Sequence, residues 1–104
     1  MAKGYWIARV DVKDKDLYQQ YATAIAAPLI KYGAKFLTRG GAHEAVEGVS
    51  RSRNVTIEFP SYENALACYR SDEYQAAISL RQSAADSELV ILEGYDGPQH
   101  GDPA

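Results

Sequence analysis

The chain lacks most features that would assign it a function class. With one cysteine, Cys68, in 104 residues, no internal disulfide can form. The formal net charge is -3 and the Lys and Arg residues are scattered, so no basic stripe is present to neutralise nucleic-acid phosphates. No apolar run approaches the ~20 residues that span a bilayer, and the first residues lack the apolar segment of a signal peptide. We therefore expect a cytoplasmic protein without nucleic-acid or membrane partners.

Recognisable metal and cofactor motifs are also missing. The sequence contains no His-x-x-x-His or Cys-x-x-Cys spacing and no glycine-rich phosphate loop. His43 lies in a glycine-flanked segment rather than on a helix, which disfavours a haem ligand. We predict that the protein carries no metal, flavin or haem.

The composition is that of one globular domain, with 46% apolar and 24% charged residues. We assign residues 1–104 to a single domain. The tail from about residue 96 is rich in Gly and Pro, so we expect it to fray.

Aromatic and β-branched residues predict strands at residues 4–12, 35–40, 53–59 and 89–93. Apolar residues spaced about four apart predict a helix between the first two strands, capped by Asp14 or Asp16 and ended by Gly33. Pro28 should kink this helix or restart its last turn. Ser61 and Ser71 predict the starts of two further helical segments, which run to about residues 70 and 85.

This order is β-α-β-β-α-β, the ferredoxin-like α+β pattern. It places the helices on one face of a four-stranded antiparallel sheet and leaves the other face bare. Strand parity assigns the following residues to the helix-facing side: Trp6, Ala8, Val10, Phe36, Val55, Ile57, Phe59, Val90 and Leu92. The same parity assigns the following residues to the bare side: Tyr5, Ile7, Arg9, Leu37, Arg39, Thr56, Glu58, Leu89, Ile91 and Glu93. Apolar residues on an uncovered sheet face indicate an interface, which predicts a homodimer.

Several spaced motifs resemble the DUF1330 family, a domain of unknown function. They are Tyr32-Gly-Ala-Lys-Phe-Leu-Thr-Arg-Gly-Gly41, Glu47-Gly48, Ile57-Glu-Phe-Pro-Ser61, Ser71-Asp-Glu-Tyr-Gln75, Arg81 and Glu93-Gly94. The resemblance implies a dimeric α+β barrel, in which two ferredoxin-like sheets close face to face. That superfamily includes cofactor-free monooxygenases, muconolactone isomerases, dye-decolorising haem peroxidases, chlorite dismutases and stress-responsive proteins, so the fold does not select a chemistry.

The clearest candidate for ligand binding is Arg39-Gly40-Gly41. Two glycines allow close approach to the backbone, and the guanidinium offers a planar fork for a carboxylate. The alternative is a strand-ending turn with a solvated arginine. His43 is a candidate base near neutral pH, although a surface-loop histidine is the simpler interpretation.

Further candidates are Glu58 and Glu93, which could form a raised-pKa carboxylate pair inside a dimer. The alternative is a structural ion network of these two residues with Arg9 and Arg39. Tyr74 and Arg81, two helical turns apart, should share a helix face, and both lie in family-like motifs.

The sequence thus favours a homodimer that binds a small anionic or carbonyl-bearing organic molecule. Arg39, Gly40, Gly41, Tyr74 and Arg81 would bind the ligand. If the protein is an enzyme, we expect cofactor-independent proton transfer or oxygenation, with His43 and Glu58 as catalytic residues. The alternative is a non-enzymatic small-molecule sensor or stress-related module.

Overall fold

The computed structural model describes residues 2–103. Within this range the chain forms four strands and four helices. Their bounds are β1 (Gly4–Val12), α1 (Lys15–Ala24), α2 (Ala26–Lys31), β2 (Lys35–Arg39), β3 (Arg53–Phe59), α3 (Tyr62–Arg70), α4 (Asp72–Ala84) and β4 (Ala85–Glu93). None of these helices is long and apolar enough to cross a membrane.

The strands form one antiparallel sheet in the order β2-β3-β1-β4. This is the predicted ferredoxin-like topology, with the helices packed on one face. The predicted bounds of β1 and β3 are confirmed. Strand β4 begins at Ala85, four residues before the predicted start, so α4 passes directly into it.

Hydroxyl and carboxylate caps set the starts of three helices. Asp14, Ser61 and Ser71 each accept a hydrogen bond from the backbone N–H three residues later, at 3.1, 3.0 and 3.2 Å. Each cap satisfies an N–H that has no partner within the helix, and such a cap stabilises a helix by about 1 kcal/mol.

The first helical segment is interrupted at Ile25, three residues before Pro28. Proline has no N–H to donate to the preceding turn, so the chain restarts as the short helix α2. Gly33, at φ +78°, then ends α2. The next N–H, that of Ala34, donates to the carbonyl of Leu29 at 2.9 Å.

The hydrophobic core lies between the helix-bearing face of the sheet and the helices. Trp6 is at its centre, 2% exposed, and its indole N–H donates to the carbonyl of Ala65 at 2.9 Å. Phe59, Cys68 and Tyr74 are fully buried around it. Burial raises the pKa of Cys68 to about 12, as suits an unreactive small hydrophobe.

The parity assigned to β4 was wrong. Ile91 is paired with Trp6, and Leu89 with Ala8, so both side chains join the helix-facing core. Val90 and Leu92 lie on the bare face instead, 52% and 45% exposed. Successive side chains of a strand alternate between faces, so one misassigned residue reverses the whole strand.

The face assigned to Arg39 was also wrong, because β2 contains a bulge. Phe36 pairs with Ile57, but Thr38 pairs with Thr56, which leaves Leu37 as the extra residue. The bulge reverses the alternation and brings Arg39 opposite Val55 on the helix-facing side.

The predicted network of Arg9, Arg39, Glu58 and Glu93 is not formed. Among residues 2–103, none of these four side chains takes part in an ion pair.

The long β2–β3 connection ends against the bare face. Arg9 donates to the carbonyl of Val49 at 3.1 Å. Arg51 forms an ion pair with Asp11 at 2.9 Å and a second, bidentate pair with Glu88. This ion cluster holds the residues that immediately precede β3.

Candidate functional site

A cavity of about 320 Å³ lies between the helix-facing side of the sheet and helices α1, α2 and α4. This volume falls within the range of known small-molecule sites. The lining residues are Trp6, Ala8, Val10, Tyr18, Tyr21, Ala22, Ile25, Ala26, Leu29, Ile30, Ala34, Phe36, Arg39, Arg53, Val55, Ile57, Tyr74, Arg81 and Leu89.

The sheet register shows where the apolar and charged residues lie along this cavity. At one end Phe36 pairs with Ile57, which pairs with Trp6. Four residues after Trp6 on β1, Val10 is flanked by Arg53 of β3 and Ser87 of β4. Arg53 thus lies near the end of β1, whereas Arg39, opposite Val55, lies nearer its middle and contacts Phe36.

Three arginines carry this charge, and each guanidinium lies over an aromatic ring that lines the same cavity. The distances from Cζ to the ring centroid are 4.0 Å for Arg39 over Phe36, 5.6 Å for Arg53 over Tyr18 and 5.7 Å for Arg81 over Tyr21. A cation over a ring face is attracted by the ring's electrons, and this attraction uses none of the guanidinium N–H hydrogen-bond donors.

These guanidiniums have no anionic partner within residues 2–103. Arg81 is only 8% exposed, and its one side-chain hydrogen bond goes to the Ser87 hydroxyl at 3.3 Å. The buried Nε atoms of Arg53 and Arg81 have no hydrogen-bond partner. A buried cation without a counter-charge is costly, so the surroundings of Arg81 are chemically incomplete.

Two buried tyrosines form a hydroxyl pair in the wall. The hydroxyl oxygens of Tyr21 and Tyr74 are 2.6 Å apart. Burial raises the pKa of both phenols, and the positive charge of Arg81 only partly opposes this. Both groups therefore stay neutral at physiological pH. One hydroxyl donates to the other, which leaves a single O–H donor for a ligand.

Of the residues predicted from the sequence, Arg39, Tyr74 and Arg81 line this cavity together. Gly40 does not line it but supports it. A Cβ at Gly40 would overlap the Arg53 guanidinium, and its φ of +72° is one that side-chain-bearing residues rarely adopt. The glycine thus makes room for Arg53 at the cavity edge.

Gly41 and His43 lie elsewhere. Together with Thr38 and Asn54 they line a separate shallow hollow, which shares only Arg39 with the cavity. The His43 ring is exposed, and its Nδ1 is 3.3 Å from the carbonyl of Gly41.

Glu58 is not brought near this cavity. It lies on the bare face, where it accepts a 3.4 Å hydrogen bond from the Tyr5 hydroxyl. Partial burial and the negative charge of Glu58 raise the pKa of Tyr5. The geometry therefore does not support a joint site of Arg39, His43 and Glu58. Within residues 2–103, no three His, Cys, Asp or Glu side chains converge as a metal site would require.

The sequence reasoning missed two residues of the cavity, Arg53 and Tyr21. Arg53 has the same parity as the buried Val55 and Ile57, and a charged residue in such a series signals a site. Tyr21 is one of the residues spaced about four apart that predict the first helix. Nothing in the sequence indicated that its hydroxyl would meet Tyr74.

Comparison with known proteins agrees with this architecture. The model of the domain of unknown function DUF1330 matches residues 3–95. The chain belongs to the DUF1330 family. No curated protein shows significant similarity to it.

Several solved structures share its fold, among them the following three. A protein of unknown function from Rhodopseudomonas palustris, RPA0582, is 19% identical, with a TM-score of 0.70 over 92% of this chain and 85% of that one. SnoaB, a cofactor-independent oxygenase from Streptomyces nogalater, is 8% identical, with a TM-score of 0.61 over 98% of this chain and 100% of that one. A dimeric ferredoxin-like protein of unknown function from Thermobifida fusca is 17% identical, with a TM-score of 0.58 over 88% and 91%. At these identities the similarity establishes the fold alone.

Proposed function

We propose that this DUF1330 protein binds a small organic anion in the cavity between its sheet and helices. One observation carries the proposal. Three guanidiniums without an anionic partner among residues 2–103 line a cavity whose other walls are mostly apolar and aromatic. An anionic group on the ligand would neutralise these guanidiniums, and an apolar body would fill the rest of the cavity.

The lining favours binding over general acid–base catalysis. None of the cavity residues within the described chain is Asp, Glu or His. The raised pKa values of Tyr21 and Tyr74 make these phenols hydrogen-bond donors rather than bases at neutral pH. A non-enzymatic small-molecule sensor needs no more than this arrangement.

A second candidate is cofactor-independent oxygenation or proton transfer. The hydroxyl pair and the buried Arg81 could stabilise an oxyanion that develops on a bound substrate. SnoaB, which shares the fold, is a cofactor-independent oxygenase. A substrate of this kind would need to supply an acidic C–H or O–H of its own.

We also propose a homodimer formed through the bare face of the sheet. Leu37, Val90 and Leu92 lie on this face, each between 45% and 52% exposed. Val90 and Leu92 pair with Ile7 and Tyr5 of β1, and an exposed apolar patch of this kind on so small a chain is typical of an interface. A second copy would cover it, and the related Thermobifida fusca protein is described as dimeric. The cytoplasmic location remains a prediction.

Trp6 offers a direct test of ligand binding, because it is the only tryptophan and it lines the cavity. Titration with benzoate should change its fluorescence and raise the Tm, since a ligand that binds the folded state stabilises it. Benzamide, the uncharged analogue, should bind at least about tenfold more weakly, because it forms no charge-assisted hydrogen bonds. Arg70→Gln, which removes an exposed charge outside the cavity, should respond like the parent. Equal responses to benzoate and benzamide, or none to either, would overturn the proposal.

The dimer is tested by Val90→Asp, which adds a charge to the bare face. Analytical ultracentrifugation should show a dimer for the parent and a folded monomer for the variant, because an unpaired charge would be buried at the interface. Ala76→Asp adds the same charge on the exposed side of α4 and should remain dimeric. A parent that sediments as a monomer at micromolar concentration would contradict this assembly.

A further inference from the structure

We propose that the ligand is a dicarboxylate with an apolar middle. One carboxylate would bind Arg39 and Arg53 at the cavity mouth, and the other would bind Arg81 in its interior. This inference rests on the proposed function, since it specifies the anion that the cavity takes.

Arg39 and Arg53 belong to strands on one side of β1, and the hydroxyl that Arg81 contacts belongs to the strand on the other side. Arg53 lies on β3, and its guanidinium reaches toward Gly40, next to Arg39. Arg81 is held over the opposite side of the sheet by its hydrogen bond to Ser87 of β4. Neighbouring strands are ~4.8 Å apart, so Arg53 and Ser87, on either side of β1, are separated by roughly 10 Å.

The two positions also differ in exposure. Arg39 is exposed and Arg53 is half-buried, whereas Arg81 is 8% exposed. Val10, which is 1% exposed and lines the cavity, lies between Arg53 and Ser87 in the sheet register. A ligand that contacts both positions must therefore cross an apolar floor. A single small anion would reach one position and leave the other without a counter-charge.

The guanidinium chemistry favours carboxylates as head groups. A guanidinium is planar and presents its N–H donors as a fork at the edge of that plane. Planar carboxylates accept two parallel hydrogen bonds from such an edge. The aromatic lining suits a ring between the two carboxylates. Terephthalate, with a carboxylate at each end of one ring, has this shape.

The experiment compares benzoate with terephthalate by Trp6 fluorescence at fixed ionic strength. In the parent, terephthalate should bind about tenfold more tightly than benzoate, because its second carboxylate adds one charge-assisted ion pair. Arg39→Gln and Arg81→Gln should each reduce this preference to about twofold, the statistical advantage of two equivalent carboxylates. Arg70→Gln is the matched control and should keep the full preference. Phenyl phosphate, a dianion with both charges on one group, should gain nothing over benzoate.

The outcomes separate this inference from the proposed function. If benzoate binds and terephthalate binds no more than twofold better, the two-position ligand is wrong while anion binding stands. The same conclusion follows if both Gln variants keep the full preference, or if phenyl phosphate matches terephthalate. If neither carboxylate binds, both proposals fail. Arg39 is exposed, so Arg39→Gln gives an answer even if Arg81→Gln does not fold.

Discussion

The hydroxyl oxygens of Tyr21 and Tyr74 lie 2.6 Å apart and join α1 to α4 across the cavity wall. Both side chains are buried, so each hydroxyl depends on the other for a partner. The pair therefore links the wall of the cavity to the packing of these two helices.

Removing one hydroxyl of this pair should cost more than removing both. Tyr21→Phe or Tyr74→Phe alone leaves a buried hydroxyl unpaired, and we expect each to lower the free energy of unfolding by about 1 to 3 kcal/mol. The double variant leaves neither hydroxyl buried without a partner, so it should be no less stable than either single variant. Urea unfolding of the four proteins measures this coupling. Additive losses would show that the hydroxyls act independently.

Gly40→Ala should weaken anion binding through Arg53. The new Cβ overlaps the Arg53 guanidinium and is strained at φ +72°, so both stability and benzoate affinity should fall. Gly48→Ala is the matched control, because Gly48 has φ +73° and open space around its Cβ position. It should lose stability by a similar amount, about 1 kcal/mol, but keep benzoate affinity. Equal affinity in both variants would argue against a role for Gly40 in placing Arg53.

Arg81→Met should separate stability from binding. Replacing an unpaired buried cation with an apolar side chain of similar length removes a desolvation cost, so the Tm without ligand should stay unchanged or rise. The Tm increase produced by benzoate should be reduced, because the interior guanidinium is lost. Arg70→Met, on the exposed end of α3, should change neither quantity. A large loss of stability in Arg81→Met would instead assign Arg81 a structural role.

The sequence was sufficient for the topology because local signals act over short distances. The helix caps at Ser61 and Ser71 and the strand bounds of β3 were all predicted correctly. The faces of the outer strands were harder to predict. In Leu89-Val-Ile-Leu92 the residues facing either side of the sheet are all apolar. Asp86 and Glu88 show which side is exposed, but both precede the predicted start of the strand.

The site was only partly predictable for a related reason. The bulge at Leu37 carries no glycine or other local signal, yet it moves Arg39 from the bare face to the cavity. That reversal also separates Arg39 from Glu58. Arg81 and Tyr74 were identified by their spacing on one helix, whereas the Tyr21–Tyr74 contact depends on how α1 packs against α4.

The ion cluster around Arg51 makes a prediction about acid stability. A hydrogen bond from the Ser52 backbone N–H, together with those from Arg51, lowers the pKa of Asp11. Hydrogen bonds from Arg51 lower the pKa of Glu88. The folded state therefore binds fewer protons than the unfolded state in the acid range, and the cluster stabilises the fold at higher pH.

This contribution should be complete above the ordinary pKa values of 3.8 and 4.5, and it should disappear as the pH falls through the lower folded-state values. Arg51→Gln should thus lower the Tm near neutral pH, and its difference from the parent should shrink below about pH 4. Added salt should also shrink it, because the charges are partly exposed. Arg70→Gln makes the same change in net charge without breaking an ion pair. If the difference for Arg51→Gln stays constant or grows with acid, or if Arg70→Gln reproduces it, Arg51 does not hold the start of β3 through these carboxylates.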